Sequence, residues 1–155
     1  SAAREAVAVL DAIAPETGRL AGAVLRRLAS SAPTGLAPAT CHADFEVGQV
    51  LVSPAGLTLL DLDDLAAAPP ALDFASCAAH LLRRPDARLD LARELLEGLA
   101  DGYGVRPRAL DWHLAVALVS GAPAPFRHAQ PDWREVAARL VAAAGRIGSR
   151  GLERA

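Results

Sequence analysis

The sequence predicts a mainly α, α+β domain in which a helical bundle carries one inserted β-hairpin. Three observations predict it. Apolar residues recur at three- and four-residue spacing toward both ends of the chain, which is the period of a helix buried on one face. Only between positions 39 and 70 do short β-prone runs replace that spacing, and each helical segment after Pro70 has its own start signal. With 155 residues, 52% of them hydrophobic, the chain is long enough for a single domain, 1–155, with a real core.

The elements follow in order. Val7, Leu10 and Ile13, then Leu20, Val24, Leu25 and Leu28, are helically spaced and interrupted by Pro15, so 3–29 is expected as two short helices or one kinked helix. The Ser-, Pro- and Gly-rich loop 30–38 completes a helical lead-in, 1–38. Within 39–70, the runs 49–52 and 57–62 flank Ser53-Pro54-Ala55-Gly56, a turn signal between two strands. The remainder, 71–155, is expected to be a helical subdomain. It holds a helix over 71–84, one capped by Asp86 and running through Gly98 or beyond, one over 108–120 with Pro107 in its first turn, and one from Pro131 or Asp132 to about 147. Gly102, Gly104 and Gly121 sit where helices should stop.

Composition excludes several classes of function. A net charge of −2 without a run of one sign leaves no electrostatic footprint for nucleic acid. No uninterrupted apolar stretch of about 18 residues exists to span a bilayer. Arg4, Glu5 and Asp11 are unlike a secretory signal, so a soluble, cytoplasmic protein with no membrane partner is expected. Cys41 and Cys77 have no CxxC partner, which argues against zinc or a disulfide framework and for two small buried residues. Methionine, lysine and asparagine are absent, and without methionine the chain is expected to be a piece of something longer.

The informative stretch is His42-Ala43-Asp44-Phe45-Glu46-Val47-Gly48-Gln49-Val50-Leu51-Val52, followed by Leu59-Leu60-Asp61-Leu62-Asp63-Asp64. Asp44, Gln49 and Asp61 bracket the strand-forming runs, as residues presented at a loop mouth do. Phosphoryl transfer needs that set. One carboxylate orients the attacking hydroxyl, while an amide oxygen and a second carboxylate hold magnesium, a hard ion that takes oxygen ligands. Asp44 and Gln49 also reproduce the Asp-x-x-x-x-Asn spacing of a kinase catalytic loop, with Asp61 where a kinase places its metal-binding aspartate.

From Cys41 to Leu81 the chain resembles the pattern His-Gly-Asp-Phe-His-Pro-Gly-Gln-Val-Leu, then Leu-Ile-Asp-Leu-Asp-Asp, then Gly-Asp-Pro-Ala-Leu-Asp-Leu. That is the pattern of bacterial small-molecule phosphotransferases related to aminoglycoside phosphotransferases and choline kinases. The similarity continues at Pro125-Phe126-Arg127 and Pro131-Asp132-Trp133. The resemblance implies a protein-kinase-like C-terminal lobe whose catalytic loop and metal-binding hairpin occupy 39–70, with ATP as co-substrate, Mg2+ as cofactor and a small-molecule hydroxyl as acceptor. It places the catalytic base on Asp44 and the metal ligands on Gln49 and Asp61. His42 matches the histidine that braces the catalytic loop, and Asp73 the aspartate that anchors it from the next helix. Such folds clamp nucleotide phosphates with an N-lobe lysine under a glycine-rich loop, and this chain has neither. A nucleotide-binding lobe is therefore expected ahead of Ser1, and the fragment alone is expected to bind ATP poorly and to be inactive.

Departures from the pattern keep a second reading open, a catalytically degenerate, pseudokinase-like binding module. Ala43 replaces glycine, Glu46-Val47 replaces His-Pro, and Ala68-Pro69-Pro70 replaces Gly-Asp-Pro. The methyl at 43 is harmless at negative φ and otherwise strains the loop. A third reading makes the resemblance accidental, with Asp44, Gln49 and Asp61 capping turns around a hairpin. Glu46, Asp63 and Asp64 would suit a cationic acceptor, yet they could equally serve metal or, for the adjacent pair, form a solvated turn. His80, His113 and His128 share no metal spacing and receive no role, and Arg83-Arg84 reads as a solvated pair.

Overall fold

The computed structural model describes residues 1–84 and 86–155, with Glu153 described by its backbone alone. Pro15 does not kink one helix but starts a second: α1 spans Ala2–Ile13, and α2 spans Pro15–Ser30 with Pro15 in its first turn. After a loop come β1 (Ala39–Cys41), a 3-10 turn (Val47–Gln49), β2 (Val50–Ser53), β3 (Gly56–Leu59) and β4 (Ala66–Ala68). The rest is helical: α3 (Ala71–Leu82), α4 (Leu89–Tyr103), α5 (Leu110–Gly121), the single turn α6 (Ala124–Arg127) and α7 (Trp133–Arg150). Among the described residues no helix is long and apolar enough to cross a membrane.

α5 is apolar on every side because it runs through the middle of the bundle, packed against α1, α3 and α7. Leu114, Leu118 and Val119 are fully buried there. Ala75, Ala78 and Ala79 of α3 are buried too, and their small side chains let α3 approach α5 closely. Trp112 of α5 donates its Nε1–H to the carbonyl of Leu28, tying α2 to the same centre (2.9 Å). Arg139 of α7 donates through Nη2 to the carbonyls of Leu82 (3.1 Å) and Arg84 (2.7 Å), which holds the chain where it leaves α3.

The β-structure forms two antiparallel ribbons. β2 and β3 pair as the expected hairpin, with Val50 opposite Leu59 and Ser53 opposite Gly56. Gly56 at the turn has φ 125, a conformation that favours glycine. The pairing of β1 with β4, Ala39 opposite Ala68, had no signal in the sequence. Its residues are alanine, threonine and cysteine, and it closes the chain around the segment between Cys41 and Ala66.

Several boundaries differ from expectation. β3 ends at Leu59 and not at 62, because Asp61 turns into the left-handed region (φ 59). Asp86 caps no helix; its Oδ1 lies 3.5 Å from Arg84 Nε, and α4 begins at Leu89 after an extended Arg88. Gly102 lies inside α4, whose stop is the left-handed Gly104 (φ 86). α5 starts at Leu110, after a left-handed Ala109 (φ 59), leaving Pro107 ahead of the helix. α6 was not expected, and α7 runs on to Arg150.

Candidate functional site

The loop after β1 is held from below by one carboxylate. Asp73, in the first turn of α3, accepts the backbone N–H of His42 through Oδ2 and that of Ala43 through Oδ1, each at 2.8 Å. Charge-assisted bonds of this length are about twice as strong as neutral ones, so the turn preceding Asp44 is fixed to the helical core. Ala43 there has φ 72, so the methyl that replaces glycine does strain the loop, at a cost of about 1–2 kcal/mol. His42 is buried, and its Nε2–H donates to the carbonyl of Leu60 at 2.8 Å. Its buried Nδ1 has no hydrogen-bond partner among the described residues.

That bond joins the loop to the open end of the β2–β3 ribbon. Leu60 N donates to Gln49 O at 2.9 Å, one step beyond the Val50–Leu59 pair, so Gln49 and Asp61 leave the ribbon side by side. Gln49 Oε1 accepts from Glu46 N at 3.0 Å, while the Glu46 side chain accepts from Gln49 N, a reciprocal cap on the 3-10 turn. An amide oxygen has two lone pairs, so one remains for a cation, and Asp61, one residue past the Leu60–Gln49 backbone bond, is exposed. The donor set therefore fits a hard divalent ion held by few protein ligands. Among the described residues no three His, Cys, Asp or Glu side chains gather as a metal-binding group. Asp63 and Asp64 lie in an exposed turn closed by Leu65 N and Leu62 O at 3.3 Å.

Asp44 is exposed and faces a residue that carries no site motif of its own. His80, on the last turn of α3, places Nε2 3.4 Å from Asp44 Oδ1 and Nδ1 2.6 Å from Glu46 Oε2. An ionised carboxylate only accepts, so Nδ1 carries the proton shared with Glu46. The Glu46 that replaces the family histidine thus has a partner across the site. Arg83 comes next and is not a solvated residue. Burial pulls its guanidinium below the ordinary arginine range, while the charges of Asp44 and then Glu46 push it back. The signal for both residues was their position about two and three helical turns C-terminal to Asp73, on the expected helix and at its end, but nothing local marks it.

Two cavities border this constellation. One of about 390 Å³ touches His42 and Asp73 and is walled by Phe45, Phe74, Leu99 and Tyr103. It is apolar and does not reach Asp44. The other, about 370 Å³, has a mixed polar and apolar lining that includes Glu46, His80, Arg83, His128 and Gln130; Asp44 is not in its wall but lies 3.4 Å from His80 Nε2. The two cysteines stay out of the chemistry. Burial raises the Cys41 thiol, helped by Asp73, and burial followed by the Glu46 charge pushes Cys77 up to about 11.

No curated protein and no solved structure matches the chain. The model of the phosphotransferase enzyme family matches residues 2–118, from the first helix into α5, and does not extend to Pro125-Phe126-Arg127 or Pro131-Asp132-Trp133. The matched span contains every residue of the loop, the ribbon end and the α3 anchor, and the chain belongs to the phosphotransferase enzyme family, the aminoglycoside phosphotransferase-like proteins.

Proposed function

We propose that the chain is the kinase-like C-terminal lobe of an ATP-dependent phosphotransferase acting on a small-molecule hydroxyl. One observation carries this: Asp73 clamps the turn before Asp44 while His42 ties the same turn to Leu60, so a single scaffold carries Asp44, Gln49 and Asp61. Asp44 is the base. As the acceptor oxygen bonds to the γ-phosphorus, the bond from that phosphorus to the β-γ bridging oxygen breaks, ADP leaves with the electron pair, and the hydroxyl proton passes to the Asp44 carboxylate. Gln49 and Asp61 would hold Mg2+, which when bound neutralises phosphate charge. The exposed apolar residues of the ribbon, Val52 and Leu57 above all, suit a cover by the nucleotide-binding lobe that supplies the phosphate clamp.

The test joins this lobe to its nucleotide-binding partner and follows label from γ-labelled ATP into a polyhydroxylated acceptor. Asp44→Asn should cut turnover by roughly 10²–10⁴-fold, the usual contribution of a positioned base, with folding intact. Unchanged turnover removes Asp44 from the mechanism.

A non-catalytic lobe is the second reading, favoured by the strain at Ala43 and by the engagement of Gln49 with Glu46. Magnesium titration in the presence of ATP separates the two, since a dead lobe shows no metal-dependent nucleotide affinity.

A further inference from the structure

The acidic residues near the loop suggested a cationic acceptor, but the cleft lined by Glu46 and His80, the latter 3.4 Å from Asp44, has a different charge balance. Glu46 is spent: one oxygen lies 2.6 Å from His80 Nδ1, and its side chain also caps the 3-10 turn. Asp63 and Asp64 do not line this cleft. Arg83 does, and its Nε is buried without a hydrogen-bond partner among the described residues. Asp44 and Glu46 influence it through their charge, but neither takes its protons. Arg84 and His128 add nitrogen donors at the rim, and Arg84 already has Asp86 at 3.5 Å. Gln130 contributes a buried Oε1 that is also without a partner, an acceptor suited to a ligand hydroxyl.

The position of the guanidinium is built. Gly121 ends α5 directly against it: a Cβ at that position would lie 2.9 Å from Arg83 Nε and 3.0 Å from Nη2. The guanidinium is therefore seated closely against the backbone of Gly121, and Arg83 lines a cleft of small-ligand size. A buried guanidinium is costly to leave unpaired, and a carboxylate or phosphate oxygen is the partner that its geometry fits.

We infer that the acceptor carries an anionic group, a carboxylate or a phosphate ester, which Arg83 binds while the acceptor's hydroxyl faces Asp44. This rests on Asp44 being the base, and it assigns the substrate class of that same site. Arg83 lies within the span matched by the family model, whereas Ala124, Pro125, His128 and Gln130, which line the same cleft, lie beyond it.

The test is calorimetric titration of this chain, without nucleotide, with four six-carbon polyols that differ in charge: gluconate, sorbitol 6-phosphate, sorbitol and glucamine. The anions should bind about tenfold or more tighter than glucamine, the order of one charge-assisted contact. The stronger of the two anions tells whether a carboxylate or a phosphate ester is the natural group. Arg83→Gln should abolish the anion preference, and Gly121→Ala, which keeps every charge but displaces the fork, should weaken it. Tightest binding by glucamine, or an anion preference equal to wild type in both variants, overturns the proposal. Because no phosphoryl transfer takes place in the titration, an inactive Asp44 leaves this outcome untouched, and a lost anion preference leaves the turnover assay untouched.

Discussion

Asp73 was legible before any coordinates, because its place in the resembled motif put it at the start of the next helix; its two bonds to His42 and Ala43 could not be, since they depend on how α3 meets β1. Asp73→Ala leaves the N–H groups of His42 and Ala43 without an acceptor and should cost about 2–6 kcal/mol in urea denaturation, at about 1–3 kcal/mol for each unsatisfied group. The strain at Ala43 makes the opposite forecast. Ala43→Gly relieves a left-handed φ of 72 and should stabilise the fold by about 1 kcal/mol despite the added chain entropy. His80 was invisible as a site residue because its partners are 34 and 36 positions away in sequence. Cys77 offers a pH test. Its thiol, ordinarily at 9.0, is held up to about 11 by burial and then by the Glu46 charge, so the folded chain keeps it neutral where the unfolded chain ionises it. The stabilisation is complete below pH 9 and is lost as pH rises from there to about 11. Thiol labelling at pH 8 should therefore be slow in the folded chain and rapid once urea is added, whereas equal rates would place Cys77 at the surface.

The helices were readable from periodicity and from Pro15, Pro70 and Gly104, yet the turn between α1 and α2 hides a constraint that spacing does not carry. Gly18 is helical and buried, and a Cβ there would stand 2.6 Å from Asp11 Cα, a backbone atom that cannot swing away. Gly18→Ala should thus destabilise, since overpacking costs about 1–3 kcal/mol and against rigid backbone the upper end applies, although alanine is the better helix former by about 1 kcal/mol. A rise in the thermal midpoint of that variant would show that the two helices are not so tightly joined. The β1–β4 ribbon illustrates the reverse problem. Ala39–Cys41 and Ala66–Ala68 have little strand preference of their own, and they pair because the chain between them is drawn together by the loop.

Taken together, the bundle and the ribbon respond differently to mutation. Leu118→Ala, at the centre where α3, α5 and α7 meet, should cost about 2–5 kcal/mol, and Val52→Ser or Leu57→Ser should change stability by less than about 0.5 kcal/mol. Val52 and Leu57 are 79% and 75% exposed, so an equal loss from ribbon and core variants would contradict this architecture. The composition announced a single core, and nothing in it could announce that the ribbon stands apart from that core, because exposed and buried valines are the same letter. Asp73 links the two regimes. The carboxylate that holds the 42–43 turn is moored in α3, whose other turns are embedded in the bundle, so the turn and the bundle are expected to melt together. On heating, amide-exchange protection at His42 and Ala43 should accordingly be lost at the same temperature as helicity by circular dichroism, with no window in which an ordered bundle carries a disordered turn.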